Sequence, residues 1–134
     1  MTRVVLIYDS DCGFCRWCLG KVLVWDRRRA LRPVALGTPE ANGLLGEMSP
    51  DRRASSWHLV DAEGRLHSAG AGFPPLLRRL PGGGPFAALT AGFPDSTERA
   101  YRFVSGNRGV WGRFVTDGAK RRADARIAER QVAS

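Results

Sequence analysis

The residues best suited to chemistry lie together near the start of the chain: Asp9, Asp11, Cys12, Cys15 and Cys18. Cys12 and Cys15 form a C-x-x-C pair, the spacing at which two thiols on a first helical turn can close a small disulfide ring. The thiolate is the nucleophile in disulfide exchange, and a helix N-terminus favours it through unpaired N–H groups and the helix dipole. In that arrangement Cys12 sits at the mouth and attacks, and Cys15, one turn in, resolves the mixed disulfide. Asp9 and Asp11 push the other way. A carboxylate at roughly 6 Å raises a thiol by about 1.4 kcal/mol at an effective dielectric near 40, against about 0.3–2 kcal/mol from the helix terminus. The two are too similar for spacing alone to assign a net shift. Asp11 is alternatively a helix cap, and Asp9 a proton acceptor for Cys15 or a plain turn residue.

Two other site chemistries use the same residues. Cys12, Cys15 and Cys18 with His58 or His67 would supply four zinc ligands, but cysteines on consecutive turns of one helix converge poorly on one ion. No metal is therefore expected. Asp9-Ser10-Asp11 after a strand also opens haloacid-dehalogenase-type phosphatases, but Cys12 and Gly13 stand where that motif needs other residues, and Asp95 and Asp117 are isolated. Cys18 on an apolar helix face reads first as a small core residue, second as a third redox thiol. His58 and His67 read as partly exposed sheet residues, and Trp17 as packing or the border of a substrate groove.

The elements around the pair must place it. Val4–Tyr8 is an apolar, β-favouring run that stops at an acidic corner. From Phe14, apolar residues recur at helical spacing: Phe14, Cys18, Val22 and Trp25 form one stripe, with Cys15, Leu19 and Leu23 beside it. This predicts a buried strand, a tight turn kept open by Gly13, and a helix ending near Asp26. A C-x-x-C next to a βαβ pattern is the mark of a thioredoxin-like redox motif.

Tyr8-Asp9-Ser10-Asp11-Cys12-Gly13-Phe14-Cys15 resembles the opening signature of the DCC family of predicted thiol-disulfide oxidoreductases, named for its Asp-Cys-x-x-Cys motif. Ser10 departs from that pattern, which usually has Gly there. Val60-Asp61 with Gly64, a later Ala-Gly followed by a Leu-Leu-Arg-Arg-Leu helix, and Tyr101 followed by Asn107-Arg108 are similar to the family too. The resemblance implies a thioredoxin-like fold and a redox role, with Cys12 and Cys15 reactive and Asp9, Asp11, Gly13 and Phe14 supporting them. It implies no bound cofactor, a disulfide-bearing protein or small thiol as substrate, and a separate thiol system as electron donor. A fold of this kind usually carries a cis-proline before its third strand. Here 54–57 read Ala-Ser-Ser-Trp, so Ser55 or Ser56 would take that place.

At 134 residues the chain has room for one core. The run at 4–8 is too short for a signal segment or membrane span, so a cytoplasmic location is the expectation. The formal charge of +8 comes mostly from Arg in short clusters. It raises nucleic-acid binding as an alternative, but no recognised motif accompanies the clusters, and a basic soluble surface is expected instead. A non-catalytic module that kept the fold is the main alternative to an enzyme.

The remaining pattern predicts a strand over 31–36 holding Pro33, hence an edge or a strand start. A helix over 39–48 follows, with Thr38 as N-cap and Pro39 first, stopped by 49–51. A hairpin is expected from strands 56–60 and 65–69 around the turn 61–64. Helical pieces are expected over 74–80, 86–89, 99–104 (capped by 96–98, with Ala100, Phe103 and Val104 inward) and 110–115. The fold class is therefore α/β, with a β-α-β-α-β-β-α thioredoxin-like core, a mixed sheet and added C-terminal helices. Residues 1–115 form the domain, and 116–134 a polar helical or disordered tail that frays or disorders towards Ser134.

Overall fold

The computed structural model describes residues 4–133. It is a mixed α/β protein around a four-stranded sheet in the order β2-β1-β3-β4. Strand β1 (Val4–Tyr8) is central, parallel to β2 (Leu31–Ala35) and antiparallel to β3 (His58–Val60), which pairs antiparallel with β4 (Leu66–Ser68). Helix α1 (Gly13–Trp25) is the crossover between β1 and β2. Every residue of β1 is buried. Side chains alternate across a strand, so Val4, Leu6 and Tyr8 enter one core with Leu19, Leu23, Leu59, Leu76 and Ile127. Val5 and Ile7 enter the other with Val34, Ala41, Leu45 and Val60. A strand apolar on both faces therefore requires helices on both sides of the sheet.

Local rules account for most boundaries. Pro33 lies in β2 at the sheet edge, where a missing N–H is tolerated. Thr38 caps α2 (Pro39–Leu45), its hydroxyl accepting from the N–H of Ala41 at 3.3 Å. That helix ends at Gly46, short of the expected 48. Ser49-Pro50 then opens helix α3 (Pro50–Ser55), with Ser49 as N-cap, where the sequence pattern suggested only a stop. The hairpin turns through Gly64 at φ 82°, a conformation that favours glycine.

The C-terminal half departs further. Helix α4 (Phe73–Arg79) follows a 3₁₀ turn at Ala69–Gly72, α5 is Gly84–Gly92, α6 is Pro94–Gly106, and α7 is Arg108–Gly112. Helix α6 starts at Pro94, so residues 96–98 lie inside its first turns and do not cap it. Phe103 and Val104 are 65% and 40% exposed and Ala100 is exposed too, so the expected inward face of this helix meets no packed core.

The helix expected over 116–132 is found, and it packs against the domain. Asp117–Ala133 forms helix α8, packed along α1, with Ala123, Ile127 and Arg130 buried. The approach is close at Gly20, where an added Cβ would stand 2.7 Å from the Cβ of Ala123. Arg130 donates to Asp26 Oδ2 at 2.7 Å and to the carbonyls of Asp26 and Leu23 at 2.8 and 3.2 Å. Asp26 in turn accepts the N–H groups of Ala30 and Leu31, each at 3.0 Å. One buried ion pair thus ties off the end of α1, the start of β2 and the last turns of α8. No described helix is long and apolar enough to cross a membrane.

Candidate functional site

Strand β1 ends at Tyr8, and the chain turns through Asp9, Ser10 and Asp11 before α1 begins. The Cys12 N–H bonds back to the Asp9 carbonyl at 3.3 Å, and the Asp11 N–H to Asp9 Oδ1 at 2.9 Å. Asp9 therefore builds the corner. Asp11 is exposed and is not the cap: the N-cap of α1 is Cys12 itself, whose Sγ accepts the Cys15 N–H at 3.2 Å. A sulfur takes the place of the usual capping oxygen, so it receives one of the free N–H groups of the helix start. The Cys12 and Cys15 sulfurs are close enough to hydrogen-bond each other, as a C-x-x-C pair requires.

The thiols differ in surroundings. Burial, above all, pushes the Cys15 thiol up to about 12, with the hydrogen bond to Cys12 adding, while the Arg108 guanidinium pulls it down. Burial likewise pushes Cys18 up to about 11. Arg108, at the start of α7, points Nη1 between two groups: 4.0 Å from Cys15 Sγ and 3.9 Å from Asp9 Oδ2. The positive charge thus stands where negative charge would develop on Cys15. Gly13 and Phe14 follow Cys12 and begin α1. A Cβ on Gly13 would come within 3.1 Å of Lys120 Cε, and Phe14 stacks on Trp17 with centroids 6.0 Å apart.

Helix α1 is rotated from the expected stripe. Leu19, Gly20 and Leu23 are its buried residues, while Cys15, Cys18 and Val22 face a cleft of about 510 Å³. The opposite wall comes from α4 and α6, including Phe73, Leu76, Ala100, Tyr101 and Val104. This explains α6: its apolar face covers an open space. Tyr101 holds the rim in place, its hydroxyl accepting the Trp57 N–H at 3.2 Å. Before β3, in the place expected of a cis-proline, stand Ser56, in extended backbone (φ −158°, ψ 171°), and Trp57; both line the cleft. The side chain of Ser55 lies outside the described residues.

The histidines are elsewhere. His58 is 1% exposed, not partly exposed as expected, with Nδ1 2.7 Å from Ser68 Oγ and Nε2 3.1 Å from the Arg53 carbonyl. His67 pairs with Asp61 at 2.9 Å. Neither joins the cysteines, and no cluster of three metal-ligating side chains occurs among the described residues.

Sequence reasoning brought Cys12, Cys15, Asp9, Gly13 and Phe14 to one corner, as found. It gave Arg108 no chemical role, because that residue is 93 positions from Cys15. The only signal was its place in the Asn107-Arg108 element of the resemblance. The lining of the cleft was likewise hidden.

Cys12 and Cys15 thus form a close C-x-x-C pair at a strand-to-helix corner, one sulfur capping the helix and the other in a cleft wall. The chain belongs to the DCC1-like thiol-disulfide oxidoreductase family, whose model matches residues 6–114. No curated protein and no solved structure matched it.

Proposed function

We propose that this protein is a thioredoxin-like thiol-disulfide oxidoreductase in which Cys12 attacks a substrate disulfide and Cys15 resolves the product. The observation that carries this is the asymmetry of the pair. Cys12 Sγ sits at the helix N-cap and already accepts an N–H at 3.2 Å. Cys15 lies deeper, raised to about 12 by burial, and so stays protonated at neutral pH until called on.

The Cys12 thiolate forms a bond to one substrate sulfur and expels the other as a thiolate. Cys15 then loses its proton and attacks Cys12 Sγ. The mixed disulfide breaks, the Cys12–Cys15 disulfide forms, and the second substrate thiol leaves. Two electrons pass from the protein dithiol to the substrate. Arg108 stabilises the charge on Cys15 as it forms, Asp9 orients the Arg108 guanidinium from its other side, and the Cys15 proton passes to water or to the substrate thiolate released in the first step. The hairpin after α3, with β1 parallel to β2 and β3 antiparallel to β4, supports the thioredoxin-like reading. Turnover in this direction requires re-reduction of the Cys12–Cys15 disulfide by another thiol system, in a cytoplasmic setting.

Trapping tests this directly. Cys15→Ser accumulates mixed disulfides through Cys12, and Cys12→Ser does not. Negligible trapping by both, with the fold intact, overturns the assignment in favour of a binding module.

A further inference from the structure

We propose that the cleft beside Cys15 binds the apolar chain of a small disulfide, so that the substrate is a lipophilic disulfide of low molecular mass; this rests on the exchange reaction proposed above. At about 510 Å³ the cleft falls within the range of roughly 300–1,000 Å³ common to small-ligand sites. Most of its surface is apolar, with Val22, Phe73, Leu76, Ala100 and Val104 lining it, and Asp9, Cys15 and Arg108 meet together in its wall. An apolar chain with sulfur at its tip matches that lining: the chain covers the exposed faces of α1 and α6, and the sulfur reaches the pair.

The charges fit as well. Arg108 stands beside Cys15, the sulfur that frees the bound chain from its mixed disulfide. Once Cys12 carries the chain as a mixed disulfide, the neighbouring sulfur, Cys15, belongs to the cleft wall. Resolution therefore takes place at the entrance of the bound chain's own site. For a symmetrical disulfide both halves leave as thiols, their two protons coming from the protein dithiol. The open face of α6 has the same explanation. None of its residues is fully buried, because its apolar side is a wall for ligand.

The test uses the full reduced chain with hydroxyethyl disulfide and its hydroxybutyl and hydroxyhexyl homologues. Transfer of a methylene out of water predicts about a fourfold gain in kcat/KM for each one added to the bound arm, until the cleft is full. Calorimetry with the matching thioethers, which cannot exchange, reports the same gain in affinity without turnover. Ala100→Phe and Val104→Trp place bulk in the cleft and flatten both dependences. Flat dependences in the wild type, with turnover intact, overturn this inference and leave the exchange reaction standing. A chain-length dependence that survives in both filled variants overturns the assignment to this cleft. Thioether binding without turnover of any disulfide overturns the exchange reading, and the substrate assignment with it.

Discussion

Replacing Arg108 with Gln isolates the part of the site that joins two distant segments of the chain. Its Nη1 lies 4.0 Å from Cys15 Sγ. A unit charge at that distance, at an effective dielectric of about 40–80 for a half-exposed rim, is worth about 1–2 kcal/mol, or about 0.8–1.5 pKa units on Cys15. Burial already pushes this thiol up to about 12, and removing the guanidinium moves it higher. The thiolate fraction at neutral pH falls accordingly. A more basic thiolate is a better nucleophile, with a Brønsted slope of about 0.4–0.5, so resolution slows by about three- to sevenfold, less than the loss of thiolate alone. The assay is stopped-flow reduction of an aromatic disulfide that releases a coloured thiolate at each step. The first release reports attack by Cys12 and the second resolution by Cys15. Arg108→Gln should slow the second phase and leave the first nearly unchanged, and Arg108→Lys should recover much of the loss by restoring the charge. A wild-type second phase in Arg108→Gln, or a defect confined to the first, refutes the electrostatic argument.

Three further outcomes follow from packing and charge. Arg130→Met leaves the carboxylate of Asp26, 0% exposed, without its cation, and should lower unfolding free energy by about 3–5 kcal/mol in urea titrations. Gly20→Val forces α8 away from α1, since even a Cβ there meets Ala123 at 2.7 Å; overpacking of this kind costs about 1–3 kcal/mol, read as a lowered Tm. Asp61 is held down to about 2, chiefly by the hydrogen bond with His67, with the N–H groups of Arg65 and Glu63 helping. A depressed carboxyl stabilises the fold above its unfolded value, about 3.9. That contribution is lost as pH falls from about 4 towards 2, so the gap in urea midpoint between wild type and Asp61→Asn should be open at neutral pH and close across this range.

The corner was legible because everything that makes it is local. An apolar run, an acidic turn and a C-x-x-C at the head of a helical stripe lie within 12 consecutive positions of β1 and the first turn of α1, and short-range geometry then brings the sulfurs together. Thr38, Pro33 and Gly64 were legible for the same reason: a cap, an edge proline and a tight turn each depend on a few neighbouring residues. The short hairpin strands and the opening of α3 at Ser49-Pro50 show the limit of that reasoning, since the same residues serve as a stop and as a start.

Residue types and spacing by themselves determined that two thiols meet at a strand-to-helix corner in an α/β chain. Only the tertiary structure decided what surrounds them. Arg108 reaches Cys15 through the placement of α7, the apolar side of α6 faces a cleft and not a core, and the polar-looking C-terminal helix is pinned by Arg130 to Asp26. A helical stripe says that a face is apolar, and a basic residue says that a charge is present. Which partner each meets depends on how distant helices pack, and no local pattern carries that information.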